Sequence, residues 1–256
     1  MTGNITPSAR LFVALSQNKK RNIIFRRGPS RHIATFLWNR ETDKFTLGQW
    51  FKGRIYEHRI DISPDGQHMI YLALGRGGKT WTAVSKTPYL KAIDFFPWMG
   101  TWGGGGSFLN SDTYELDGRP IRDESRISKQ FIIYAKENHT SSIYPNRLSK
   151  FGWLQINGRI FHKEISNHWL LVKTLQRLKN NTRSLENEYH ALQNIKTGQV
   201  IDLPDWEWAE FDEKYFLWAE KGCLFKAKTH PETGFGKPKK LYDFNPYKFE
   251  EIIAPY

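Results

Sequence analysis

The stretch Arg59-Ile60-Asp61-Ile62-Ser63-Pro64-Asp65-Gly66, followed closely by Met69-Ile70-Tyr71-Leu72-Ala73, decides the fold of this chain. Proline fixes one backbone dihedral of a tight turn and glycine supplies a positive one, so Ser63-Pro64-Asp65-Gly66 reads as a reversal between two strands. The apolar run after it, rich in β-branched and aromatic residues, suits a buried strand.

Runs of this kind recur. Ile23-Ile24-Phe25, Phe131-Ile132-Ile133-Tyr134, Trp169-Leu170-Leu171-Val172 and Tyr215-Phe216-Leu217-Trp218 join Met69-Ile70-Tyr71-Leu72 to make five clusters. With centres at 24, 70, 132, 170 and 216, the spacings are 46, 62, 38 and 46 residues. Most clusters are followed by a second strand-like run (Ile33 to Trp38, Trp81 to Val84, Tyr189 to Leu192, Leu224 to Ala227), then a polar turn, and in three units a third run. The third unit matches least well, offering only Ser142-Ile143-Tyr144 as a partner strand. The segment from Leu175 to Tyr189 contains Asn180-Asn181-Thr182 and reads as a polar hairpin or an excursion rather than a helix. Three or four antiparallel strands recurring every ~40–50 residues is the pattern of a propeller blade.

The Ser-Pro-Asp-Gly motif with its following strand resembles the repeat of TolB-like and WD-repeat-like β-propellers, and Asn194-Ile195-Lys196-Thr197-Gly198 is similar to that family's outer hairpin turn. The resemblance implies fold only, because propellers host enzymes, scaffolds and receptors alike. The expected fold is all-β: a single propeller domain over residues 1–256, with five blades of three to four antiparallel strands. A six-bladed ring and a β-sandwich are the alternatives. Leu11 to Leu15 and Phe249 to Ile253 are spare strands, one of which is expected to complete a blade begun at the other terminus.

Composition narrows the function. The 256 residues are 39% hydrophobic and 25% charged, as in a folded protein, and ten Trp, eleven Tyr and seventeen Phe favour strands. One cysteine, Cys223, excludes an internal disulfide framework and a multi-cysteine metal site. No run of ~18 apolar residues and no signal-like start occur, so the expectation is a cytoplasmic protein with no membrane partner. The net charge of +12 is lopsided: residues 1–56 carry eleven basic side chains against two acids, while residues 205–220 carry six acids and one lysine. Such a field steers anionic partners.

Ala73-Leu74-Gly75-Arg76-Gly77-Gly78-Lys79-Thr80 approaches a phosphate-binding loop, but a strand-like run follows it where a helix is required, so it reads as a glycine-rich hairpin. In Trp98-Met99-Gly100-Thr101-Trp102-Gly103-Gly104-Gly105-Gly106, four consecutive glycines are costly in backbone entropy and must be required by something. A close ligand approach flanked by stacking Trp rings is one reason; a bulge between blades with both Trp in the core is the other. The eight histidines lack metal-ligand spacing, and Cys223 reads as an inert buried thiol. Asp61, Asp94, Asp112, Glu115 and Asp212 are candidates for the paired carboxylates of a glycosidase.

These observations lead to the expectation of a non-catalytic module that recognises a protein or peptide, with no cofactor or metal. Its contact surface is expected at Lys19, Lys20, Arg21, Arg26, Arg27 and Arg31 together with Trp98, Trp102, Gly103 and Gly104. Two alternatives stand beside it: nucleic-acid binding through residues 1–56, and a carbohydrate-active enzyme.

Overall fold

The computed structural model describes residues 7–28, 31–98, 100–101, 103–121, 123–136, 143–165, 168–177 and 186–256. The chain divides into two compact units, one of residues 1–7, 13–147 and 247–256, the other of residues 8–12 and 148–246. The described residues form five sheets and one short α-helix, α1 (Ile143–Ser149).

The first unit holds three sheets, except that residues 10–12 at the start of sheet I belong to the second unit. Sheet I runs β1 (Arg10–Ala14), β2 (Asn22–Arg27), β3 (His32–Asn39), β4 (Lys44–Lys52), and sheet II runs β5 (Arg54–Ile62), β6 (His68–Leu74), β7 (Thr80–Lys86), β8 (Ala92–Trp98), each in chain order. Sheet III has only β9 (Gly106–Phe108), β10 (Thr113–Leu116) and β11 (Ile132–Ala135). Here expectation and structure part. Strand β11 pairs parallel with β10, not antiparallel, and Ile132 and Tyr134 on it are exposed. Of that apolar cluster Phe131 enters the core and Ile133 packs against it, partly buried. Ile143 and Tyr144 open α1 rather than a strand; Pro145 has no N–H to give a ladder but is tolerated in a helix's first turn. Ser142 lies outside the described residues.

The turn from Ser63 to Gly66 joins β5 to β6 as expected, and it also joins sheets. Asn18 donates its backbone N–H to the Pro64 carbonyl at 3.0 Å, and the Arg21 guanidinium donates to the Thr87 carbonyl and hydroxyl, each at 2.9 Å. Gly66 has φ +72, and a Cβ there would collide with the Arg21 carbonyl. Glycine is therefore required twice, by dihedral and by approach.

Between sheets II and III the core is Ile70, Val84, Phe96, Phe108, Tyr114, Leu116 and Phe131, laced by buried polar bonds. The Phe108 N–H donates to Asp61 at 2.8 Å, and the Tyr114 hydroxyl donates to Asp94 at 2.7 Å. Residues 247–256 have no regular structure, so the strand expected at Phe249 to Ile253 is not formed, and β1 begins its own sheet rather than closing another.

The second unit holds sheet IV, with β12 (Leu154–Asn157), β13 (Ile160–Glu164), β14 (Trp169–Arg177), β15 (Glu186–Asn194) and β16 (Val200–Leu203). Sheet V has β17 (Trp208–Asp212), β18 (Tyr215–Glu220), β19 (Cys223–His230), β20 (Gly234–Phe235) and β21 (Lys239–Asp243). The β14–β15 hairpin matches the reading of that polar stretch, its tip (178–185) lying outside the described residues. Trp206, Trp218 and Phe225 stack through sheet V, with ring centroids 4.6 and 5.4 Å apart.

Candidate interaction surface

Antiparallel order in sheets I and II sends alternate turns to opposite ends of the first unit. Lys19, Lys20 and Arg21 lie in the β1–β2 turn at one end, whereas Arg26 and Arg27 end β2 at the other, with Arg31 just beyond them. At ~3.3 Å per residue this separates the groups by about 20 Å. One basic run in sequence is therefore two groups in space. Their roles differ as well. Arg26 is buried, its guanidinium 5.5 Å from the Trp50 ring, and burial holds its pKa below the usual arginine value. Arg21 braces the Ser63–Gly66 turn, Arg27 pairs with Glu57 at 3.0 Å, and Lys20 lies 3.9 Å from Glu41. Lys20 and Arg31 are exposed.

The glycine loop is structural in its described part. Residues 103–106 are buried. A Cβ on Gly104 would sit 2.8 Å from Leu72 Cδ1, and one on Gly105 2.5 Å from the Arg59 carbonyl oxygen. The run thus meets the need for close backbone approach, and sheet II is the neighbour approached. Trp98 is half-buried at the end of β8, and its carbonyl accepts from the Thr80 hydroxyl at 2.8 Å. Met99 and Trp102 lie outside the described residues.

A surface that the sequence reading missed gathers at the Arg31 end. The Phe51 and Trp81 rings meet edge to face at 5.7 Å, Trp81 stacks on Phe95 at 5.9 Å, and the Arg126 guanidinium lies 5.1 Å from the Phe95 ring. All three rings are half-buried and Arg126 is exposed. Turns bring more cations to the row. Gly53 donates its N–H to the Arg31 carbonyl at 3.1 Å, which sets Arg31 beside Arg54, and Arg54 covers the Tyr56 ring at 4.3 Å. The glycine-rich hairpin carrying exposed Arg76 and Lys79 abuts Trp81 through Gly75. Beside Phe95, Arg126, Ile93 and Ser128 line an open groove of about 640 Å³. Stacked rings edged by guanidinium groups take up planar or cationic side chains, aromatic residues and carboxylates.

The candidate carboxylates of the first unit are taken up by separate partners. Asp61 and Asp94 accept hydrogen bonds from backbone N–H groups and from Tyr114. Glu115 pairs with Lys136 at 3.0 Å, Asp112 accepts from the Thr113 hydroxyl at 2.6 Å, and Asp212 ends β17. Among the described residues no group of three or more His, Cys, Asp or Glu side chains is placed to hold a metal ion, and no helix is long and apolar enough to cross a membrane. Burial raises the pKa of the Cys223 thiol.

The second unit contains a buried ionic layer. Lys173, on the inward face of β14 beside Leu171 and Leu175, lies 2.8 Å from Glu188 and 4.9 Å from the Trp153 ring. Trp153 donates its indole N–H to Glu210 at 2.9 Å, and Lys163 reaches the same carboxylate at 2.5 Å. His190, fully buried, has Nδ1 2.9 Å from the Trp206 carbonyl and Nε2 3.4 Å from Glu188. Desolvation lowers its pKa, opposed by the Glu188 carboxylate.

No protein-family model matches this sequence, and no curated protein matches it. Solved structures do. An uncharacterized protein from Listeria monocytogenes is 13% identical with a TM-score of 0.35, over 92% of this chain and 66% of that one. TolB from Acinetobacter baumannii is 15% identical with a TM-score of 0.32, over 89% and 53%. The β-propeller domain of the trilobed protease from Pyrococcus furiosus is 14% identical with a TM-score of 0.34, over 94% and 86%. This chain thus spans about two thirds of the first and about half of TolB.

Proposed function

We propose that the five sheets are blades of a β-propeller and that the chain is a non-catalytic binding module for a protein or peptide partner. Chain-ordered strands in sheets I and II, with the turn of one braced on the turn of the next, support the blade reading. The observation that carries the binding reading is the half-exposed row Phe51, Trp81 and Phe95 ending at Arg126. Aromatic and arginine side chains are the groups that dominate binding energy at interfaces. The surrounding cations, Arg31, Arg54, Arg76 and Lys79, favour acidic segments.

Selection of a displayed random-peptide library on the immobilised protein tests this. Enrichment of acidic peptides bearing an aromatic residue, lost when selection is repeated on Trp81→Ala, is the expected result. Preferential binding of single-stranded oligonucleotides over every peptide, falling steeply with salt, would assign the row to nucleic acid instead.

A further inference from the structure

Residues 247–256 lie across the first unit as an extended segment fixed by side chains. Tyr247 packs edge to face on buried Phe36 at 4.8 Å. Phe249 sits between His32 and Trp50, at 4.8 and 5.9 Å, with the Lys52 ammonium 4.2 Å from its ring. The Ile252 carbonyl accepts from Gln49 Nε2 at 2.9 Å, while the other end of the same amide accepts the Leu90 N–H at 2.8 Å. The Tyr256 hydroxyl accepts from the Lys86 N–H at 3.1 Å and donates to the Lys91 carbonyl at 2.6 Å, and its ring meets Tyr89 at 6.2 Å. Ala254 is buried between these anchors, whereas Glu250, Glu251 and Ile253 face solvent.

Unlike the strands, this segment is not paired in any sheet, and segments held by few backbone bonds open locally at small cost. Cations flank both anchors: Lys52 lies over the Phe249 ring, and Lys86 and Lys91 lie 5.2 and 5.4 Å from the Tyr256 ring, while Glu250 and Glu251 stand exposed between them. We infer that the groove between β4 and the β7–β8 turn is a second peptide site, distinct from the Phe51–Trp81–Phe95 row. Residues 248–256 are its tethered ligand, and an acidic partner peptide with aromatic anchors seven residues apart displaces them. The rings of His32 and Trp50 hold the first anchor, Gln49 reads the backbone between the anchors, and Tyr89 and Lys91 hold the second. The tether competes with a partner in trans through its high effective concentration.

The test uses the full chain and a fluorescein-labelled peptide, Lys-Phe-Glu-Glu-Ile-Ile-Ala-Pro-Tyr, read by fluorescence anisotropy. Phe249→Ala with Tyr256→Ala frees the groove. It is expected to bind the peptide at least tenfold more tightly than the unaltered chain does, and to lose that binding when Gln49→Ala and Lys91→Glu are added. Should that variant fail to fold, Glu250→Lys with Glu251→Lys, both at exposed positions, weakens the tether without touching an anchor and is expected to shift affinity the same way. Equal affinity for the unaltered chain and a folded tether variant would overturn the inference. So would a concentration-dependent dimer of the unaltered chain that Phe249→Ala abolishes, because the groove's occupant would then be a second copy. Trp81→Ala is expected to leave this binding unchanged, so the two surfaces fail or stand separately.

Discussion

Gly105 and Tyr114 show how single residues hold the site's scaffold. Gly105 has φ +78 and faces the Arg59 carbonyl, so an alanine would meet both a left-handed backbone and a clash at 2.5 Å. Gly105→Ala is expected to destabilise the chain by about 2 kcal/mol in a urea titration. Removing the Tyr114 hydroxyl leaves one Asp94 oxygen short of a buried donor, so Tyr114→Phe is expected to cost about 1–3 kcal/mol by the same measurement. At this scale the sequence was half legible. Four glycines in a row announced a close approach, but not that the approaching group would be another strand of the same unit. The Arg residues were visible as charges, whereas the burial of Arg26 and the bracing by Arg21 depend on neighbours tens of residues away.

Among the elements, the turns and meanders were the most legible, because they are local. The Ser63–Gly66 turn and most strands of sheets I, II, IV and V follow from turn chemistry and apolar runs, whereas β8, β12 and β13 carry no such mark. Sheet III was not, since a parallel pair depends on a crossover that no short-range pattern specifies. Sheet IV carries a layer that alternation could have flagged: Trp169, Leu171, Lys173 and Leu175 share one face, so a lysine stands where apolar side chains are required. Lys173→Met alone strands the Glu188 carboxylate and is expected to cost about 3–5 kcal/mol, whereas Lys173→Met with Glu188→Gln recovers most of that loss. His190 adds a pH dependence. Its folded pKa lies below the ordinary 6.5, so the unfolded chain takes up the proton first as pH falls. Its contribution is complete above about pH 6.5 and is lost progressively below it. Thermal melts from pH 7.5 to 5.5 are expected to show a falling Tm, with a shallower slope in His190→Gln.

For the whole molecule, composition and repeat spacing pointed to an all-β chain, and the described residues bear that out in five sheets. The contact surface was far less legible, because antiparallel order places residues adjacent in sequence at opposite ends of a unit. Phe51, Trp81, Phe95 and Arg126 come together from separations of 14 to 75 residues. Whether a partner docks on this row decides the proposed function. The most direct measurement follows the Trp81 indole N–H resonance as a selected acidic, aromatic peptide is titrated into the isotope-labelled protein. A saturating shift is expected at Trp81 and at the amides of Phe95 and Arg126, with binding weakened at least tenfold in Arg126→Glu. Tight binding that leaves those resonances unmoved, or that is indifferent to Arg126→Glu, would contradict it.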